Sequence, residues 1–373
     1  MTPPRPTLSS IVATIGPASD SPEIVGKLID AGVAVFRFNF SHGSFEDHRR
    51  RLEVVRTVAA HKCCCIAVLG DLPGPKIRVG KVPDPGITLQ AGQDFLIDPA
   101  CEPAEPATDS RPARFGCTYA QIARDVHPGH RVLINDGAIR AVAMERHADD
   151  PPSALRCRVT TGGAVTSKKG INLPQTDVSI PALTDRDWEC VEWAVRHGLD
   201  FLALSFVRSA EEVRLLRERL ASMCSVDGIA GNAAGGAAIP VIAKIEKPQA
   251  VAAIDEIARE ADGLMVARGD LGVEMDIAAV PIVQKRILAA ADRFRKPCIV
   301  ATQMLESMIT SPSPTRAEAS DVATAVIEGA DAVMLSAESA AGQYPVLAVE
   351  TMRRIITNAE AWMRESGTRA SPT

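Results

Sequence analysis

Lys244, Glu246 and Asp270 are the residues of this chain whose types and spacing best suit chemistry. Lys244 and Glu246 close the apolar run Val241-Ile242-Ala243-Lys244-Ile245-Glu246, and Asp270 follows Gly263-Leu264-Met265-Val266-Ala267-Arg268-Gly269. Each run has the length of a strand, and Pro248 to Ala261 between them carries the pattern of an amphipathic helix. A strand–helix–strand unit of this kind delivers an ammonium and two carboxylates to one edge of a parallel sheet. That grouping suits a divalent metal and an anionic substrate.

The elements that must position these groups recur along the chain. Apolar runs of buried-strand type occur at Ile11–Ile15, Val33–Phe40, Cys64–Asp71, Phe201–Phe206, Val241–Glu246, Gly263–Gly269, Cys298–Thr302 and Ala332–Glu338. Helix starts fit between them at Ser21-Pro22-Glu23, Thr184-Asp185-Arg186-Asp187 and Ser313-Pro314-Thr315-Arg316. Eight strands alternating with helices predict an α/β fold, a (β/α)8 TIM barrel. The interval from Asp71 to Phe201, roughly 130 residues, is far longer than one crossover needs. Within it, Pro- and Gly-rich sequence with short alternating runs, and the turn signal Asn135-Asp136-Gly137, predict a small all-β domain inserted after barrel strand 3. The expected domains are therefore 1–78 with 179–373 for the barrel and 79–178 for the insertion. Asp227 to Ala238 reads as a flexible loop, about Tyr344 to Arg364 as the last helix, and the residues after it as a polar tail with no C-terminal regulatory domain.

Composition narrows the function classes. The chain has 373 residues, 46% hydrophobic and 23% charged, and a net charge of −5. The acidic balance lacks the basic footprint of a nucleic-acid partner. No apolar run reaches membrane-spanning length and no signal-type segment follows Met1, so no membrane partner and a cytoplasmic location are expected. Nine cysteines show no Cys-x-x-Cys spacing. Cys63-Cys64-Cys65 could suggest a metal or redox cluster, but neighbours along a strand face opposite ways, so the reading here is the buried start of a strand.

In barrels the chemistry sits at the carboxyl ends of the strands. Those ends carry Arg37-Phe38-Asn39-Phe40-Ser41-His42-Gly43 after the second run, Asp71 with Lys76 and Arg78 after the third, then Lys244, Glu246, Asp270, Thr302, Ser336 and Glu338. Several cations and acids converging at one rim call for an anionic substrate carried with metal.

Seven motifs follow in order along the chain: Thr14-Ile15-Gly16-Pro17-Ala18-Ser19, Arg37 to Gly43, Asp71-Leu72-Pro73-Gly74-Pro75-Lys76-Ile77-Arg78, Ser167-Lys168-Lys169-Gly170-Ile171-Asn172-Leu173-Pro174, Lys244-Ile245-Glu246, Ala267-Arg268-Gly269-Asp270-Leu271-Gly272 and Ala301-Thr302-Gln303-Met304-Leu305-Glu306-Ser307-Met308. In these the chain resembles the pyruvate kinase family. The resemblance implies phosphoryl transfer from phosphoenolpyruvate to ADP, giving ATP and pyruvate. It implies Lys244, Arg37 and Thr302 as catalytic residues, with Gly269 and Asp270 also binding substrate, and Glu246 and Asp270 holding Mg2+ or Mn2+. Asn39, Ser41, His42, Arg78 and Lys169 would contact the nucleotide, Lys168 and Lys169 would close over its phosphates, and Ser336 and Glu338 would begin a proton relay. A monovalent-cation site would use Asn39, Ser41, Asp71 and Leu72. Many members carry glutamate where this chain has Lys76, whose ammonium can stand in for K+, so K+ is not expected to be required. The family's barrel–barrel interface, which includes the segment matching Pro314-Thr315-Arg316, leads to an expected homodimer.

Two other functions stay open at this level. A Mg2+-dependent barrel lyase or aldolase acting on pyruvate or oxaloacetate would use Glu246 and Asp270 but would need neither Arg78 nor Lys169. A catalytically idle, phosphoenolpyruvate-binding regulatory homologue is the other. The filled charged positions Arg37, Asp71, Arg78, Lys244, Glu246 and Asp270 favour the kinase.

Overall fold

A computed structural model describes residues 7–226 and 238–367. The expected loop at Asp227 to Ala238 lies outside the described residues except for Ala238, as does the tail beyond 367. The described residues divide into two compact units. One comprises the described residues within 1–74, 182–269 and 278–373, and the other Pro75–Pro181 and Asp270–Ile277.

In the first unit eight parallel strands close into a barrel: Ser10–Thr14, Val33–Asn39, Ala67–Asp71, Phe201–Leu204, Val241–Ile245, Gly263–Ala267, Cys298–Ala301 and Ala332–Leu335. Their inward residues, among them Val12, Leu69, Ile242, Met265, Ile299 and Met334, pack as the barrel interior. Helices start where side chains can satisfy free amides. Ser21 accepts from the Ile24 N–H, while Thr184 with Asp187 and Thr315 with Glu318 form reciprocal capping pairs.

Most strands end one to three residues before the expected limit. Phe40, Glu246, Arg268 and Thr302 all leave the ladder. These residues turn into the strand-end loops, where Phe40 and Glu246 are buried and Arg268 and Thr302 half-buried without being assigned to a strand. The helix expected from Pro248 to Ala261 is broken at Ala253 into Pro248–Ala252 and Ile254–Glu260.

Cys63, Cys64 and Cys65 are exposed, which corrects their reading as the buried start of a strand. The preceding helix continues to His61, and the Cys63 and Cys64 amides close its end on the carbonyls of Ala60 and Ala59, with Cys63 at φ 52. The three residues are the reversal a 17-residue helix needs before a strand can begin. By contrast Cys101, Cys117, Cys157, Cys190 and Cys298 are buried. Burial pushes the Cys117 thiol up to about 11 and Cys190 up to about 12, so these are inert packing groups.

The second unit holds a six-stranded sheet, a two-stranded ribbon, the short helix Ile122–Asp125 and, in Asp270–Ile277, most of the helix Arg268–Glu274. Phe95 and Phe115 meet edge to face at 5.9 Å in its core. Arg131–Ile134 and Ile139–Ala143 pair antiparallel across the expected hairpin. Asn135 and Asp136 take φ 55 and 51, the left-handed conformations that a tight hairpin requires and these residue types tolerate.

One buried group makes the barrel unit acid-sensitive. His48 is 2% exposed, against Phe38, Phe40 and Trp193. Burial, then the charge of Arg51, pushes its imidazole down to about 4 from 6.5. The unfolded chain takes up the proton first, so stability falls as pH drops from 6.5 towards 4, by about 3 kcal/mol in full. His48→Phe is expected to flatten that part of a melting-temperature profile between pH 7 and 4.5; an unchanged slope would place the acid sensitivity elsewhere.

Candidate active site

The strand ends of the barrel unit assemble a row of alternating charge. Arg37, on the second strand, places Nε 2.7 Å from Asp71 Oδ2. Asp71, at the end of the third, places Oδ1 3.1 Å from Lys244 Nζ. Lys244, on the fifth, lies 2.9 Å from Glu246 Oε1. The side chains are 11%, 2%, 12% and 1% exposed along that row, so Asp71 is held almost dry between two cations and Glu246 almost dry beyond Lys244. Burial alone would raise the Asp71 carboxyl, but Lys244 and Arg37 outweigh it and hold the group below the ordinary carboxylate range. The cations are thereby fixed in direction while their charge is only partly spent.

Neutral groups complete the frame. Arg37 also donates to Thr14 Oγ1 at 3.0 Å, and Thr14 donates to the Leu335 carbonyl. Lys244 donates to Ser205 Oγ at 2.7 Å, and Ser205 donates to the Leu72 carbonyl at 2.6 Å. The amide of Phe206, a residue at φ 55, donates to Glu246 Oε2 at 2.6 Å. Ser205 and Phe206 were missed by the sequence reading. The signal was available, because they follow the fourth strand directly, where the rule applied to the other ends would have found them.

Thr302 sits at φ 70 and Gln303 at φ 55. A β-branched residue there is a real outlier, and a definite set of bonds holds it. The Gly269 amide donates to Thr302 Oγ1 at 2.7 Å, and Arg268 donates to the Thr302 carbonyl at 2.8 Å and forms an ion pair with Asp321. The Gly269 amide is therefore engaged by Thr302 here. Glu338 is fully buried, its two oxygens accepting from the Leu305 and Ser336 amides, which makes it a brace between loops.

Asn39 stands opposite Asp71 in the ladder, and its side chain accepts from the Ser41 amide; Ser41 and His42 are exposed. The remaining expected residues belong to the second unit. Arg78 donates to the Lys168 carbonyl, Lys169 accepts from the Val79 amide, and Lys76 is exposed with its Cε close to Gly170. Asp270, half-buried, lies in the helix Arg268–Glu274 and groups with Arg78 and Lys169.

A closed parallel barrel with buried, alternating cations and carboxylates at its strand ends defines an α/β-barrel enzyme for a small anionic substrate. Residues 7–349 match the family described as "Pyruvate kinase, barrel domain". The chain is 46% identical over 356 residues to a pyruvate kinase of Methylorubrum extorquens, covering 95% of this chain and 69% of that protein. It is 44% identical over 363 residues to one of Mycobacterium tuberculosis, covering 97% and 71%. A crystal structure of a pyruvate kinase from Cryptosporidium parvum superposes with a TM-score of 0.87 at 36% identity, over 95% of this chain and 70% of that one. The chain belongs to the pyruvate kinase family. Its relatives are phosphotransferases of glycolysis, and among the described residues no helix is long and apolar enough to cross a membrane.

Proposed function

We propose that the strand-end row transfers the phosphoryl group of phosphoenolpyruvate to ADP, leaving an enolate that is protonated to pyruvate. The observation that carries this reading is the buried row Arg37–Asp71–Lys244–Glu246. Phosphoryl transfer asks a protein for positioning and charge neutralisation more than for covalent chemistry, and two directed cations in a low-exposure cleft supply both. Arg37 grips the phosphoryl oxygens. Lys244 neutralises the charge that spreads over the transferring group. Asp71 aims both, and Ser205 fixes the third direction of the ammonium. The Thr302 hydroxyl faces the enolate carbon, with Ser336 as the other side-chain candidate for proton delivery.

Glu246 and Asp270 are the proposed holders of Mg2+ or Mn2+. The donor chemistry fits a small hard dication, which takes one or two protein carboxylates and completes its shell with substrate oxygens and water. Among the described residues no three His, Cys, Asp or Glu side chains gather into a full protein cage, in keeping with such a shared shell. Bound there, the ion lends Lewis-acid charge to the substrate's carboxylate and phosphate oxygens. Asn39, Ser41, His42, Arg78 and Lys169 are the proposed nucleotide contacts, with Lys168 and Lys169 closing over the phosphates.

Asn39, Ser41, Asp71 and the Leu72 carbonyl are the proposed monovalent-cation ligands, with the Lys76 ammonium in place of the ion. Steady-state rates are then expected to change less than about twofold with added K+, while Lys76→Glu creates a K+ requirement. Strong K+ activation of the unmodified protein would remove the role given to Lys76. A homodimer through the barrel unit is proposed as well, to be read from solution mass.

The defining assay is pyruvate formation from phosphoenolpyruvate and ADP with Mg2+. Turnover that requires ADP supports the kinase. Pyruvate or enolate chemistry without ADP would support the lyase reading, and metal-dependent phosphoenolpyruvate binding without turnover would support the regulatory one.

A further inference from the structure

Asp270 and the basic residues Arg78 and Lys169 fall in one compact unit, and the row that holds Glu246 belongs to the other. The segment Asp270–Ile277 is short, and its most buried polar residue is Glu274, 1% exposed at the end of the helix Arg268–Glu274. Glu274 follows Asp270 by four residues, one turn along the same face. Its Oε1 accepts a hydrogen bond from Asn172 Nδ2 at 2.8 Å. Asn172 is itself buried, on the short strand Ile171–Asn172, three residues after Lys169. That strand pairs antiparallel with Arg131–Ile134, so the amide sits on a sheet and not on a free loop.

The fit around this bond is close. Asn172 Oδ1 is buried with no hydrogen-bond partner among the described residues, so the side chain is oriented by its donation to Glu274 and not by a balanced amide pair. Gly170 lies beside it, and a methyl group there would come within 3.3 Å of Lys76 Cε and 3.9 Å of Asn172 Oδ1. At the neighbouring hairpin, Val273 Cγ1 lies 3.9 Å from where a Cβ on Gly137 would stand. A buried amide with one hydrogen-bonding side unused is costly as packing, and an apolar side chain would fill the same space without that cost. What the amide adds is a directional tie between the strand that follows Lys169 and the helix that carries Asp270.

We propose that Asn172 and Glu274 are positioning residues that fasten the Asp270 helix to the β-sheet unit, so that Asp270 is set by the element bearing Arg78 and Lys169. The inference rests on the assignment of Asp270 as a metal ligand and of Arg78 and Lys169 as nucleotide contacts. Its functional consequence is coupling. An ion at Asp270 and a nucleoside diphosphate at Arg78 and Lys169 both bias the same unit, so each raises the other's affinity, and the coupling is reciprocal.

The test uses the full chain with Mn2+ alone, followed through the electron-spin signal of the free ion, and ADP followed by calorimetry with and without Mn2+. Asn172→Ala is expected to weaken Mn2+ about tenfold, the low end of what lost outer support costs a metal site, and to bring the Mn2+-dependent gain in ADP affinity towards one. Glu274→Gln keeps an acceptor for Asn172 and is expected to retain most of that gain. Half-saturating metal in turnover should move further than turnover at saturating metal. A folded Asn172→Ala protein with unchanged Mn2+ affinity and unchanged coupling overturns the proposal and leaves the kinase reading standing. If Asn172→Ala does not fold, Asn172→Gln, which displaces the donor by one methylene, must show the same two losses or the proposal fails. If the unmodified protein binds neither Mn2+ nor ADP, it is the assignment beneath the proposal that falls.

Discussion

Lys244→Ala is expected to lower kcat by about three orders of magnitude, roughly 4 kcal/mol of transition-state stabilisation, the scale measured when one directed charge is removed from an acyl- or phosphoryl-transfer site. The ammonium lies 12% exposed between Asp71 and Glu246 and donates to Ser205. Water therefore replaces it poorly, and the two carboxylates it leaves behind add negative charge where the phosphoryl group must pass. Because the charge matters most when the phosphoryl is in flight, kcat and kcat/KM should fall together. Lys244→Met, which keeps most of the stem, should fall equally far. A melting temperature close to that of the unmodified protein would show that the loss is chemical. A loss of less than about tenfold in either variant would mean that Lys244 is a structural ion-pair partner and that the phosphoryl group passes elsewhere.

Asp71→Ala is expected to destabilise the barrel unit by about 3–5 kcal/mol, the usual cost of removing one partner from a buried ion pair. The carboxylate is 2% exposed and receives Arg37 on one oxygen and Lys244 on the other. Its loss leaves two cations facing one another in a poorly solvated cleft, with Thr14 and Ser205 as their remaining neutral partners. Denaturant midpoints give the magnitude. A double-mutant cycle gives the cause: adding Arg37→Met removes one of the stranded charges, so the double variant should be less destabilised than the two single losses added together. Additive losses would mean that Asp71 stabilises through packing alone. Activity should fall in Asp71→Ala as well, since Arg37 and Lys244 lose the group that aims them.

Much of this was legible in the chain. Apolar runs of strand length separated by capped helices specify a parallel barrel, because only burial on both faces permits such runs. The barrel rule then carries Arg37, Asp71, Lys244, Glu246 and Thr302 to one rim without coordinates. The hairpin at Asn135-Asp136-Gly137 was equally readable, since few residues tolerate φ values of 55 and 51 in succession. Cys63-Cys64-Cys65 was misread because a small apolar residue in a helix-ending turn and one opening a strand look alike in a pattern of hydrophobicity.

The sequence by itself determined which residue types stand at the strand ends, since strand period and position set that locally. Only the tertiary structure decided that Asp71 spans Arg37 and Lys244, that Ser205 and the Phe206 amide orient Lys244 and Glu246, and that Asp270 groups with the β-sheet unit, where Asn172 donates to Glu274. The reason is physical. Periodicity is a property of neighbours along the chain, whereas the direction of the buried Asp71 charge is set by partners 34 and 173 positions away, brought to 2.7 and 3.1 Å by barrel closure.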